Sequence, residues 1–560
     1  MSTDIRVRKR GPFEPSGLGL ELPAKFTTIR PHQRKAVDDI LAAFAAGNEV
    51  VFLDAPVGSG KTLIAEMVRQ SLATNALYVC SDIALQRQFM ADFTYASLLM
   101  GRSNYPTEHH GDARDRWGKL EVSAEDCTST TPDGEDCWHC ETHATCPYWI
   151  AREEATGNPL AVLNTAYLMA ETNSGATRFG KLQRGLIIID EADTLEDQLL
   201  NHVQFEVPAW IERRLGLQMP AKAVRKPTLA KWLRDTAEVA RKGRTDKLFP
   251  EMKELRRIGG FIEECKKIAD ELDKDVGDDD ESGTWLRDYD TKTLLLRPVL
   301  VGPYGTSRLW RHASKFLLMS GTIISSDEMA ESLGLPWDYA TVTVPMTFPV
   351  ENRPITVAPV ARMTAKSSDE DYANLVYAVE QIAKKHEGER ILVHTVSKFL
   401  AELLVARCEL GSRNVCSYTY AGGKKAALDD YMRVPGSIMF AQSMDRGVDL
   451  PGEACRVQVV AKVPFGSLGD RRVSARLHLP GGKTWYDVNA VRKIVQMSGR
   501  GVRNDKDQAH TYIVDAQFAT NLYSTRGKGL FPQYWRDAVD ERADVRWLMR
   551  KYAGTKHAQV

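Results

Sequence analysis

The string Ala55-Pro56-Val57-Gly58-Ser59-Gly60-Lys61-Thr62 constrains this chain more than any other part of it. It follows Val50-Val51-Phe52-Leu53, which reads as a buried strand, and precedes a helical pattern over residues 62–72. A strand, a glycine-rich turn and a helix in that order make a phosphate-binding loop, here with Ala55 where the first glycine usually stands. Gly58, Ser59 and Gly60 allow backbone N–H groups to turn inward on phosphate oxygens, and the helix N-terminus adds partial positive charge. In that geometry Lys61 reaches the β- and γ-phosphates of ATP, and the Thr62 hydroxyl ligates Mg²⁺. A Gly/Ser-rich turn with an exposed lysine is the bland alternative, and the strand–loop–helix context speaks against it.

Hydrolysis of a nucleoside triphosphate also needs carboxylates and a counter-charge. Ile187-Ile188-Ile189-Asp190-Glu191-Ala192-Asp193 ends a buried-strand run in acidic residues. Asp190 is placed to hold Mg²⁺ and Glu191 to orient and deprotonate the attacking water. An acidic pair at a strand end is common by chance and gains meaning only beside the phosphate loop. Gln496-Met497-Ser498-Gly499-Arg500-Gly501-Val502-Arg503 sets two arginines three apart, which predicts one helix face. Arg500 and Arg503 are the expected arginine fingers, acting across a cleft between two α/β domains.

Strand and helix patterns alternate on both sides of these motifs, at 76–80, 83–90 and 186–189, and again at 391–394, 437–440, 457–461 and 511–514. Such alternation predicts parallel, covered sheets. Two segments interrupt it. Residues 101–160 are rich in Cys, His, Asp and Thr and read mostly as irregular, while 196–297 carry long charged helices (228–242, 252–272) and an acidic loop at 277–283. At 560 residues the chain exceeds one compact domain, since roughly 100–200 residues per domain is usual. Lys+Arg and Asp+Glu are both 74, so an evenly basic nucleic-acid coat is excluded but a local basic groove is not. No apolar run is long enough for a membrane span, the basic N-terminus lacks the apolar core of a secretion signal, and nine cysteines are too few for a disulfide scaffold. The expected location is intracellular, cytoplasmic or nucleoid-associated, with no membrane partner.

In the order they occur, these strings resemble those of a superfamily 2 helicase, and more narrowly the XPD/DinG family of iron–sulphur DNA helicases. Arg30-Pro31-His32-Gln33 is similar to the adenine-sensing motif, with Gln33 as base reader. Ser320-Gly321-Thr322 resembles motif III, Ser443-Met444-Asp445-Arg446-Gly447-Val448-Asp449-Leu450 motif V, and Gln496 to Arg503 motif VI. The family more often has His in place of Asp193. Gly101-Arg102-Ser103-Asn104-Tyr105, Cys146-Pro147-Tyr148-Trp149, Phe348-Pro349-Val350-Glu351-Asn352-Arg353 and Lys462-Val463-Pro464-Phe465 add to a likeness spanning roughly residues 28–516. It implies an α/β fold of two RecA-like P-loop domains with parallel sheets. The first is interrupted by a cysteine-rich metal insertion and a helical arch. The expected layout is 1–100, 161–195 and 298–345 for the first domain, 101–160 for the insertion, 196–297 for the arch and 346–560 for the second domain. The resemblance adds Asp449 and Gln496 to the nucleotide contacts.

Cys127, Cys137, Cys140 and Cys146 place four thiols in twenty residues. Four thiolates can enclose a 4Fe–4S cube or a tetrahedral Zn²⁺, and His139 and His143 keep a Cys/His zinc site open. The family likeness favours iron–sulphur, although its first cysteine normally follows the Asn-Tyr string where Pro106-Thr107 stands here. Cys80, Cys265, Cys408, Cys416 and Cys455 are scattered singly and expected in cores. The basic residues Lys222, Arg225, Lys226, Lys231, Arg234, Arg241, Lys242 and Arg244 suggest either a strand-binding channel or a solvated face. Trp138, Tyr148 and Trp149 could stack bases, wedge a duplex or pack round the metal. The leading expectation is a monomeric ATP-driven DNA helicase on single-stranded and forked or tailed duplex DNA, 5′→3′ if it follows the resemblance. RNA unwinding, displacement of protein without unwinding, and an ATPase acting only as a conformational switch stay open.

Overall fold

The computed structural model describes residues 20–107, 112, 114, 119–120, 122–125, 145–171, 184–220, 225–246, 248–249, 252–274, 285–289, 293–418, 423–442, 450, 452–524 and 527–550. Cys127, Cys137, Cys140, Trp138, His139, His143, Lys222, the acidic loop 277–283 and Asp449 lie outside them.

Sixteen strands are described. Those of the first sheet are β1 (Val50–Asp54), β2 (Ala76–Cys80), β3 (Ser97–Leu98), β4 (Leu160–Asn164), β5 (Leu186–Asp190), β9 (Phe316–Ser320) and β10 (Tyr339–Thr343). They run in the order β10-β1-β9-β5-β2-β4-β3, every pair parallel. Val50, Val51, Phe52 and Leu53 are wholly buried. Apolar side chains are needed on both faces because helices cover both, which is why β1 reads as a continuous apolar run rather than an alternating one. The register sets Asp54 beside Ser320 and Asp190 beside Met319, so the phosphate loop, the acidic string and the Ser-Gly-Thr string all leave the same sheet edge. That edge is the C-terminal end of parallel strands, where open α/β sheets bind ligands.

The second sheet holds β11 (Ile355–Ala361), β12 (Ile391–His394), β13 (Val415–Ser417), β14 (Ile438–Ala441), β15 (Val457–Val460) and β16 (His510–Asp515) in the order β11-β16-β15-β12-β14-β13. It too is parallel throughout. A third, antiparallel sheet of β6 (Phe205–Val207), β7 (Trp285–Tyr289) and β8 (Leu294–Pro298) carries the arch helices Lys226–Thr245 and Met252–Lys274. Leu229, Leu233, Ala237 and Ala240 recur at helical spacing and pack with Ile258, Ile262, Cys265 and Ala269. No helix among the described residues is long and apolar enough to cross a membrane.

Candidate nucleotide cleft

The phosphate loop is held open by its neighbours. Gly58 and Gly60 adopt φ of +80° and +83°, where a side chain is strained. A Cβ on Gly60 would overlap the Gln33 amide, and one on Gly58 would overlap the Phe348 ring. Gln33 Nε2 donates to Ser59 O at 3.0 Å while its Oε1 accepts from Arg30 N at 2.9 Å. Arg30 Nη1 donates to Gly58 O at 3.0 Å. The residue expected to read the base is thus buried against the loop and braces it. Ser59 Oγ is buried with no hydrogen-bond partner, a donor inside the loop that a phosphate oxygen fits. Lys61 opens the helix Lys61–Ser71, and its Nζ donates to Ala55 O at 3.2 Å.

The acidic string lies across from the lysine. Asp190 Oδ2 accepts from the Tyr78 hydroxyl at 2.8 Å and Oδ1 from the Glu191 N–H at 2.9 Å. Burial pushes the Asp190 carboxyl above the usual range, with the Lys61 charge working the other way. A buried carboxylate of that kind beside the start of the Lys61 helix fits a divalent cation, whose charge would favour ionisation. Glu191 sits in the left-handed region at φ 52°, ψ 43°, and its carbonyl accepts from both Thr194 N (2.9 Å) and Thr194 Oγ1 (2.8 Å). Asp193 is the most connected of the three. It accepts from Ser320 Oγ at 2.8 Å, Thr322 Oγ1 at 3.0 Å and Gln496 Nε2 at 2.7 Å, tying the acidic string to the Ser-Gly-Thr string and to the second domain.

The facing wall comes from the second domain. A cleft of about 620 Å³ is lined on one side by Lys61, Glu191 and Thr322 and on the other by Gln496, Arg500 and Arg503. The two arginines are brought together there, but not on a helix as their spacing predicts. The helix Gly482–Ser498 stops at Ser498, with Gly499 as its C-cap. Gly501 then packs so tightly that a Cβ would overlap Ala509 and the Cys455 carbonyl. Arg353, Tyr534 and Trp535 also line the cleft and were not singled out from sequence as site residues. Arg353 Nη1 donates to Tyr534 O at 2.6 Å, and Trp535 Nε1 donates to Ser498 Oγ at 2.8 Å. A Phe-Pro-x-Tyr-Trp string after the last strand was the available signal, and aromatic residues there read equally well as core.

The insertion is described only in part. Cys146 is 3% exposed and caps the helix Pro147–Gly157. Pro at the first helical position and the buried Tyr148 and Ala155 give this end of an otherwise irregular stretch a helix packed on the first sheet. Tyr148 is not available to stack on a base: it is 2% exposed, bonded to the Tyr167 hydroxyl at 2.8 Å and covered by the Arg102 guanidinium. Among the described residues no group of three or more His, Cys, Asp or Glu converges on a metal site. On the arch, Arg234 pairs with Asp270 and Asp273, Lys231 with Asp235 and Arg241 with Glu238, while Lys226 is 2% exposed. Those charges are largely answered within the arch.

Comparison with known proteins agrees with this layout. A model of the "Helicase C-terminal domain" family matches residues 379–537, and one of the "Type III restriction enzyme, res subunit" family matches 26–211. The ATP-dependent helicase DinG of Mycobacterium tuberculosis is 29% identical over 122 residues, which are 20% of this chain and 18% of the relative's length. A solved XPD helicase superposes with a TM-score of 0.63 at 16% identity, covering 90% of this chain and 98% of its own. The S. tokodaii Xpd4 structure does so at 0.58 and 13%, covering 91% and 99%. Two parallel α/β domains that together line a phosphate-loop cleft are the fold this chain shares with those solved XPD structures. The chain spans less than a fifth of the length of the DinG relatives it matches.

Proposed function

We propose that the chain is an ATP-dependent helicase that translocates on single-stranded DNA, 5′→3′, and separates duplex at a cysteine-rich insertion holding a 4Fe–4S cluster. The observation that carries the motor reading is the two-sided cleft, with Lys61 and Glu191 on one wall and Gln496, Arg500 and Arg503 on the other, and Gln496 bonded across it to Asp193. In it the phosphate loop and Lys61 grip the β- and γ-phosphates, and Thr62 and Asp190 would hold Mg²⁺, which would supply charge neutralisation there. Glu191 takes the proton of the attacking water, and Arg500 and Arg503 meet the charge on the transferring phosphoryl group; Gln33 reads the base and Asp449 adds a nucleotide contact. Cys127, Cys137, Cys140 and Cys146 are the proposed cluster ligands.

Strand displacement with 5′-tailed and 3′-tailed DNA and RNA duplexes tests the substrate and polarity together. Unwinding of 5′-tailed DNA that needs ATP and disappears in Lys61→Ala is the expected result. Preference for RNA tails, or strand-stimulated hydrolysis without unwinding, would replace this reading. Anaerobically purified protein should carry about four irons per chain, and one zinc in their place would remove the iron–sulphur assignment.

A further inference from the structure

The helix Leu195–Val203 begins four residues beyond Glu191, and its first turn carries Glu196. The Glu196 side chain is only 14% exposed and is enclosed by the second domain. Its Oε1 accepts from Arg472 Nη2 at 2.8 Å and from Arg476 Nη1, and its Oε2 accepts from Trp485 Nε1 at 2.9 Å. Burial alone would push this carboxyl up; Arg476 and Arg472 outweigh it and hold it below the usual glutamate range. Beside it, Arg492 donates to the carbonyls of Thr322 (3.1 Å) and Ile323 (3.3 Å) and pairs with Glu328 at 3.5 Å. Arg472, Arg476 and Arg492, all from the second domain and all 4–5% exposed, therefore dock on carboxylates and carbonyls of the first.

Glu191 occupies left-handed backbone, which costs a non-glycine residue free energy and persists only where the surroundings over-determine it. Upstream, β5 fixes Asp190. Downstream, restraints that reach the segment from the second domain include Gln496 on Asp193 and the three donors on Glu196.

We propose that Glu196 is a positioning residue: docked by Arg472, Arg476 and Trp485, it lets the second domain set the backbone that carries the hydrolytic carboxylate Glu191. Hydrolysis is then tied to domain docking at this joint as well as to the arginines in the cleft. The inference rests on the proposed role of Glu191, and its test has one arm that does not need hydrolysis.

Glu196→Gln keeps the size of the side chain and removes the charge on which both arginines converge. In full-length protein, hydrogen exchange of a peptide covering residues 190–200 should become faster while the peptide covering β1 is unchanged. Strand-stimulated kcat should fall by roughly ten- to a hundredfold, as small displacements of catalytic groups do, with KM for ATP within about twofold. Arg476→Lys, which keeps the charge and loses the planar fork, should shift both readouts the same way, and adding it to Glu196→Gln should change little further. Unchanged exchange at 190–200, or a loss seen only in KM, would overturn the proposal; if Glu196→Gln does not fold, Arg476→Lys decides by the same two readouts. Absence of strand-stimulated hydrolysis in the unaltered protein would retire the motor reading instead, and the exchange arm would still decide the joint.

Discussion

Asp193 stands where the family that the sequence resembles more often has His, and its contacts show what an aspartate does there. An aspartate there accepts from Ser320, Thr322 and Gln496 at once. Asp193→Ala would leave those buried donors without their acceptor, at a cost of about 1–3 kcal/mol. Urea unfolding should show that loss, and ATP turnover should fall with it. Asp193→Asn keeps one acceptor oxygen and should lose less on both counts. Asp54, which ends β1, gives a pH-dependent case. Burial is the main cause that raises its pKa to about 6, opposed in part by Lys61. The unfolded value is about 4, so the fold favours the protonated form. Its stabilising contribution is complete below about pH 4 and is lost as pH rises through about 6. Asp54→Asn should therefore raise the melting temperature at pH 8 relative to wild type, and raise it less at pH 5. Residue identities of this kind were legible in part. Asp193, Ser320, Thr322 and Gln496 could each be picked out from the string, but that they meet at one carboxylate follows from strand register, which no local pattern encodes. Gln33 shows the same limit: its motif was readable, its bracing of Ser59 was not.

At the scale of elements, the strands were legible as continuous apolar runs and the arch helices by their strong helical periodicity. Continuous apolar runs became β1 and β5, and the 228–242 pattern became the helix Lys226–Thr245. What failed was the end of a helix. Spacing put Arg500 and Arg503 on one helical face, but the helix ends at Ser498 and both lie in the loop beyond it, where Gly501 packs closely on Ala509 and Cys455. The loop's root is held by a segment that had no motif to mark it. Ala538 O accepts from Ile355 N at 2.8 Å and Asp540 N donates to Ile355 O at 2.9 Å, fastening residues 531–540 to β11. Trp535 then reaches Ser498 across the same ground. Trp535→Phe keeps most of the packing and removes the donor, so it should cost about 1 kcal/mol in thermal unfolding. ATP turnover should fall several-fold with little change in KM, because the arginine loop starts at Ser498. Unaltered turnover in that variant would show that the loop is fixed by Gly501 and its neighbours alone.

At the scale of the molecule, the arch is tied to both α/β domains. It grows out of the first, yet Arg297 on β8 donates to Asp470 of the second at 2.9 and 3.1 Å and also pairs with Asp288 on β7. Arg471 donates to the Arg287 carbonyl at 2.5 Å and Arg472 to that of Pro298 at 3.2 Å. Movement of the second domain during a nucleotide cycle would thus pull directly on the sheet that supports the arch helices. Composition gave no hint of this, since a net charge of zero says nothing about which charges meet across domains. Arg297→Gln removes the pair while leaving Asp470 to accept from the N–H groups of Arg472 and Val473 at the start of the helix Arg471–Leu477. The pair is partly solvated, with side-chain exposures of 15% and 33%, so its loss should cost only about 1 kcal/mol in stability. Strand-stimulated ATP hydrolysis should be close to wild type, because Arg297 lies outside the cleft. Base pairs opened per ATP consumed should fall, since the arch would no longer follow the second domain. Equal losses in hydrolysis and unwinding would place Arg297 in the support of the motor itself, and an unchanged ratio would mean that the arch moves with the first domain alone.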